Sequence, residues 1–198
     1  MNYDKVKFEY ILENYGWGKA IFTINEQLFS YDSSHVRDPL GSIFYISAIA
    51  LDKPAKEGFN KHVFDISDEH QENEIEFLIK IGQERFANMK ITEDCNRDSK
   101  KIVYDGVIDF YYFIKCAIES ALSILREQGL VGYSLSWDHS FPLPEFLRTL
   151  DFFEDYHNLD WSSTFGVIRN DTLCRTNIFD EIKLLSKHLG KEPNSKVL

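Results

Sequence analysis

The stretch from Trp137 to Pro142 comes nearest to acid–base chemistry, and it reads Trp-Asp-His-Ser-Phe-Pro. A histidine titrates close to neutral pH, so His139, with Asp138 beside it, has the chemistry of a general acid or base. Aromatic walls for a small molecule would come from nearby residues, namely Tyr133, Trp137 and Phe141. We favour the other interpretation, a histidine that fixes a turn, because catalysis requires further geometry that the sequence does not supply.

Cysteine chemistry has one candidate nucleophile, Cys116, which lies within a predicted amphipathic helix beside Ala117. Such a position favours a buried, inert thiol. The chain has two further cysteines, Cys95 and Cys174. The three are far apart and form no CxxC pair, which argues against a zinc site and favours reduced thiols.

The densest set of possible metal ligands follows residue 150 and comprises Asp151, Glu154, Asp155, His157 and Asp160. In a helix Asp151 and Asp155 would share a face, but the set lacks HExxH spacing and an EF-hand loop. A solvated acidic turn is the favoured interpretation. Phosphate-binding glycine motifs and GxSxG are also absent, so we expect no metal, cofactor or catalytic activity.

A run of six carboxylates without Lys or Arg lies between residues 65 and 76: Asp65, Asp68, Glu69, Glu72, Glu74 and Glu76. A solvated loop is the favoured interpretation, and an electrostatic docking surface for a basic protein is the alternative. The whole chain carries a net charge of −10. That charge would repel phosphate backbones, so it argues against nucleic acid as a partner.

The helices and strands that would position these residues are predicted to form an α+β fold. We predict an antiparallel sheet of about five to six strands, with a helix after the first hairpin, a long helix after the last strand and a carboxy-terminal helix. The predicted strands are 5–12, 19–31, 61–66, 74–81, 85–91 and 101–108. The predicted helices begin at Asp38-Pro39, at Phe110 with a stop at Gly129, near Pro144, and at Ile178.

We predict one domain with an α+β body over residues 1–150 and a carboxy-terminal extension over 151–198, whose single helix packs on the same domain. The amino terminus lacks a basic start followed by an apolar run. No stretch approaches the roughly 18 apolar residues of a membrane span. The expected location is therefore the cytoplasm, with no membrane partner.

Several short motifs carry a resemblance: Gly16-Trp17-Gly18, Ser30-Tyr31, Asp38-Pro39-Leu40-Gly41, Gly132-Tyr133 and the Trp137–Pro142 stretch. Over about residues 5 to 150 the chain resembles a loose group of small uncharacterised bacterial α+β proteins. The resemblance implies no catalytic residues. Such small acidic proteins are similar to immunity proteins, which neutralise the toxins of competing cells.

The leading hypothesis is a non-catalytic, acidic protein-binding module, and more specifically an immunity protein that occludes the active site of a basic toxin. The six carboxylates between Asp65 and Glu76 are the candidate contacts. The alternative is an enzyme or small-molecule-binding protein with a pocket near Tyr133, Trp137 and His139. A third hypothesis is a non-catalytic small-molecule-binding or homo-oligomeric module, for which exposed aromatic surface would be the sign. The sequence leaves the oligomeric state open.

Overall fold

The computed structural model describes residues 2–14, 16–51, 58–66, 72–94, 99–154 and 178–190. Within those residues it has seven strands and four helices. Their order is β1 (Val6–Asn14), β2 (Trp17–Ile24), β3 (Gln27–Ser34), α1 (Pro39–Leu51), β4 (Phe59–Asp65), β5 (Glu74–Lys80), β6 (Phe86–Asp94), β7 (Lys100–Asp109), α2 (Phe110–Trp137), α3 (Leu143–Glu154) and α4 (Ile178–Leu189). No described helix is long and apolar enough to cross a membrane.

The strands form two antiparallel sheets, one of three strands (β1-β2-β3) and one of four (β4-β5-β6-β7). The α+β class is confirmed, but the prediction of a single sheet of five to six strands was wrong. The two sheets meet at one parallel bridge, where Asp4 bonds to the backbone of Val107 and Asp109 at 2.8 and 3.0 Å. They do not merge, because a helix occupies the edge of β1 beyond that bridge.

Helix α2 lies along the outer edge of β1, and its residue Ser120 makes the contact with the strand. The Ser120 hydroxyl accepts a hydrogen bond from the Tyr10 backbone N–H at 2.7 Å and donates one to the Tyr10 carbonyl at 2.9 Å. Both groups point away from β2, where a further strand would otherwise pair. One side chain therefore replaces a neighbouring strand at the middle of β1.

The segment predicted as one strand over residues 19–31 is in fact a hairpin of β2 and β3. Asn25 and Glu26 form its two-residue turn and both have positive φ, at 49° and 68°. Two consecutive positive φ angles are typical of a type I′ turn, whose twist suits a hairpin. Asparagine tolerates this conformation well, but glutamate does so poorly, which is why the turn is hard to recognise from sequence.

Helix α2 is longer than predicted, because it continues past Gly129 to Trp137. Gly129 has non-helical angles (φ 71°, ψ 178°) and marks a kink. Helical conformation resumes after it, where the sequence predicted that the helix would stop. Tyr133 and Trp137 are fully buried one turn apart. Their burial holds the second half of the helix against the core despite the glycine.

The core is centred on Phe113 of α2, which has no exposed surface. Its ring lies 5.5 Å from Phe8 and 6.3 Å from Phe22 of the small sheet, and 5.3 Å from Phe77 of the large sheet. Helix α4 also reaches the core through the fully buried Leu184. One helix thus packs against both sheets.

We expect Ser120→Ala to lower the free energy of unfolding by about 1–3 kcal/mol, because the Tyr10 N–H and C=O would lose their shared partner. Urea denaturation measures the loss. The matched control is Ser123→Ala, three residues along the same helix, where the exposed hydroxyl donates only to Glu127. The control should change stability by no more than about 0.5 kcal/mol. Equal effects for the two variants would show that Ser120 does not hold the β1 edge.

Candidate functional site

The described carboxylates of the 65–76 stretch are all engaged by basic side chains of the same chain. Glu72 and Glu74 share Lys100, at 3.6 and 2.6 Å. Asp65 lies 3.1 Å from Arg37. Glu76 lies between two lysines, with Lys61 at 2.8 Å and Lys90 at 3.5 Å. The remaining two candidates, Asp68 and Glu69, lie outside the described residues.

These ion pairs reduce what the stretch can offer to a partner. The hydrogen bond from Lys61 and the charge of Lys90 hold the pKa of Glu76 below its usual value, although partial burial opposes this. A carboxylate that is already paired loses that pairing when it binds another cation, so its net contribution to docking is small. The four described carboxylates thus form a charge-balanced surface.

The Trp137–Pro142 stretch serves as a helix end and a turn. Asp138 is the residue after α2, has φ 62°, and its N–H donates to the Ser134 carbonyl at 3.0 Å. His139 donates through Nε2 to the backbone carbonyl of His35. Trp137 and Tyr133 are fully buried, so they form core rather than the walls of an open pocket. The His139 ring thus joins this turn to the residue that follows β3.

Gly16 connects this turn to the first hairpin. Its N–H donates to the Ser136 carbonyl at 2.6 Å, and its carbonyl accepts from the His35 N–H at 2.7 Å. Its φ of 71° is one that a side chain rarely adopts, and an added Cβ would lie 3.1 Å from the His35 ring. The motif residues at Gly16, Asp38 and Trp137–Pro142 are therefore neighbours in space.

Asp38 is a half-buried acid in this region. Its Oδ1 accepts a hydrogen bond from the Gly41 N–H at 2.8 Å and so caps α1. Burial raises the pKa of the Asp38 carboxyl, and the Gly41 N–H, His139 and Tyr133 partly offset the rise. Burial also raises the pKa of Tyr133, and the Asp38 charge adds to it. The Tyr133 hydroxyl approaches this carboxylate without closing a well-aligned hydrogen bond.

The predicted metal ligands are mostly outside the described residues, since Asp155, His157 and Asp160 are not described. Asp151 lies in α3 and is 8% exposed. Glu154 ends the same helix. In the part of the chain that the structure describes, no three His, Cys, Asp or Glu residues are grouped as metal ligands would be.

A groove of about 580 Å³ lies between β1 and α2. That volume is within the roughly 300–1,000 Å³ typical of ligand sites. One wall is the segment 7–12 of β1, and the other is a single face of α2 with residues three or four apart. The helix wall consists of Tyr112, Lys115, Cys116, Glu119, Ser120, Ser123, Ile124, Glu127 and Gln128.

The strand wall of the groove offers main-chain groups for binding. Because strand backbone groups alternate in direction, Phe8 and Leu12 point their N–H and C=O the same way as Tyr10, into the groove. Ser120 takes the Tyr10 groups. Within the described residues no strand pairs with this edge beyond Asp4. The N–H and C=O groups of Phe8 and of Leu12 thus lie on either side of Tyr10, whose own groups are already bonded to Ser120.

The rim of the groove carries more acid than base. Glu9, Glu119 and Glu127 are exposed and form no ion pair among the described residues, although Glu127 accepts from Ser123 at 3.2 Å. Two lysines also line the groove. One of them, Lys115, lies 5.5 Å above the ring of Phe153. The groove is thus an apolar cleft with three available carboxylates.

Cys116 is half-buried and lines this groove, which differs from the buried thiol that we predicted. Sequence reasoning missed the groove as a whole. Its helix wall is readable as a polar stripe at residues 112, 116, 119, 123 and 127, beside the apolar stripe that packs on the sheets. The stripe is indistinguishable from a solvated face until β1 is placed against it.

Comparisons with known proteins identify no relative of this chain. No protein-family model matches the chain, and searches of curated proteins and of solved structures find no match.

We expect Asp38→Asn to change the pH dependence of stability. A carboxyl with a raised folded-state pKa binds more protons when folded, so wild-type stability falls as pH rises from the unfolded-state pKa of about 4 through the folded-state value. Asparagine keeps an oxygen to cap α1 but cannot ionise. The variant should therefore gain stability relative to wild type as pH rises from about 4 to 7. Urea denaturation across that range measures the difference.

The control is Asp105→Asn, which removes the same formal charge at an exposed position. A gain of stability with pH that is as large for Asp105→Asn as for Asp38→Asn would show that burial of Asp38 is not the cause.

Proposed function

We propose that this chain is a non-catalytic protein-binding module that holds a short basic segment of a partner protein in the groove between β1 and α2. The observation that carries the proposal is the combination of an open apolar cleft with unpaired carboxylates at its rim. An immunity protein that blocks a basic toxin is the specific form of this function.

The shape of the groove supports a short segment over a full added strand. An extended peptide can bond to the backbone of Phe8 or of Leu12. Ser120 occupies the position between them, so pairing cannot run continuously along β1. Apolar contacts, mainly with the 40% exposed Ile11, would then add to the affinity.

Charge supports a basic partner. Lys or Arg side chains of the segment would reach Glu9, Glu119 and Glu127 without breaking an existing ion pair. The net charge of −10 would steer a basic protein towards this chain. The carboxylates at Asp65, Glu72, Glu74 and Glu76 would contribute less, because each already has a basic neighbour.

A second candidate is a small molecule in the same groove, which the volume of about 580 Å³ favours. The enzyme hypothesis around His139 receives less support. Of the three aromatic residues that would wall its pocket, Tyr133 and Trp137 are fully buried and Phe141 is nearly so, and the His139 ring is bonded to the His35 carbonyl.

The test is titration of the chain with the purified products of its neighbouring genes, at low and high salt. We expect a basic product to bind, with affinity that falls as salt rises. The double variant Glu119→Gln/Glu127→Gln should weaken that binding roughly 2- to 30-fold. The control Glu26→Gln/Asp105→Asn removes equal charge at exposed positions that do not line the groove. It should leave affinity within about twofold.

Cys116 provides an independent readout of the groove. In a chain with Cys95→Ser and Cys174→Ser, the bound partner should slow the reaction of Cys116 with a maleimide. Failure of every neighbouring product to bind, or binding that leaves the Cys116 rate unchanged, would overturn the proposal. If a small-molecule extract of the cell slows the reaction of Cys116 with the maleimide while no protein is bound, that result would support the second candidate instead.

A further inference from the structure

Strand β4 is an edge of the four-stranded sheet, and its outer side is unpaired within the described residues. The bonds from Ile66 N–H to Asn73 and from Ile81 N–H to Gly58 show that the even-numbered residues of β4 face β5. The backbone groups of Phe59, Lys61, Val63 and Asp65 therefore point outward. These four side chains share the outer face of the sheet, and three of them are well exposed.

The order of residues in β4 is self-complementary. If two copies pair antiparallel about Val63, that residue faces its own copy and Lys61 faces Asp65 in both directions. All three positions are outward-facing, so each pair exchanges two backbone hydrogen bonds. Moving the centre of symmetry to Lys61 would place two lysines opposite each other. Like charge thus disfavours the register about Lys61. The register about Val63 instead places Lys61, which already contacts Glu76, beside Asp65, which already contacts Arg37, so that the existing ion pairs extend into a network across the two strands.

The edge strand β3 of the small sheet lacks this property. The two-residue turn makes Ile24 and Gln27 a hydrogen-bonded pair, so the odd-numbered residues of β3 bond to β2. The outward-facing backbone groups therefore belong to Leu28, Ser30 and Asp32. The strand contains no Lys or Arg, so self-pairing would create no opposite-charge pair. The two edges therefore differ in charge pattern while both remain exposed.

We propose that two copies of this chain associate through antiparallel pairing of β4, centred on Val63, so that the two four-stranded sheets become one of eight strands. The partner is a second copy because a twofold contact requires a self-complementary patch, and β4 supplies it. This interface is on the opposite sheet from the β1 groove, so the proposal is independent of the proposed function.

A proline substitution tests the contact. Val63→Pro removes an N–H that β5 does not use, so the monomer keeps its strand ladder, whereas the dimer loses its central hydrogen bonds. We expect sedimentation velocity to show a concentration-dependent dimer for the wild type and at least a tenfold weaker dimer for Val63→Pro. Ser30→Pro, at the equivalent position on β3, is the control and should dimerise as the wild type does.

Cysteine cross-linking tests the register. With the three native cysteines replaced by serine, Val63→Cys should form a disulfide dimer, because facing Cα atoms in such a pair lie about 5.5 Å apart. Lys61→Cys should not, since it faces Asp65. A wild type that stays monomeric at its highest attainable concentration would overturn the proposal. A dimer unaffected by Val63→Pro, or one that cross-links through Lys61→Cys, would overturn it too.

Discussion

The packing of α2 against both sheets is the constraint on which the rest of this structure depends. Phe113 contacts phenylalanine rings of the small and the large sheet, and among the described residues the bridge at Asp4 and the hydrogen bond from Tyr31 to Glu93 also join the two sheets. Seven residues further along α2, Ser120 bonds to the Tyr10 backbone. These two contacts hold α2 alongside β1, and the groove is the space left between them. The site is therefore a consequence of how the core closes.

Most elements of the fold were predictable from local pattern, because alternation and three- or four-residue spacing report which face of a segment is buried. The division into two sheets was not predictable, since it depends on Ser120, a common polar residue within an otherwise ordinary amphipathic helix. Nothing in the local sequence distinguishes it from Ser123, which is exposed. The helical conformation after Gly129 was missed for a related reason. Gly129 does interrupt the helix, and burial of Tyr133 and Trp137 stabilises a second helical segment after it.

The candidate site was less predictable than the fold. The run from Asp65 to Glu76 contains no Lys or Arg. In the folded chain, however, its described carboxylates form ion pairs with four basic residues from other segments, namely Arg37, Lys61, Lys90 and Lys100. Strand pairing brings those partners from distant segments, so counting charge along the chain overstates the free charge. The reverse holds for Glu9, Glu119 and Glu127. They are scattered in sequence and look unremarkable, but they meet at one groove.

The free edges of the two sheets show how neighbouring side chains decide what an exposed strand can bind. At β1, the Ser120 hydroxyl satisfies the central N–H and C=O, so an extended partner can engage only the flanking residues. At β3, the outward positions offer no basic residue to balance Asp32. At β4, Lys61 and Asp65 are placed symmetrically about Val63, so the charges agree with antiparallel pairing to an identical strand. The unpaired backbone groups of β1, β3 and β4 are chemically equivalent. The side chains beside them therefore determine whether each of these edges is blocked, lacks an opposite charge or is complementary to itself.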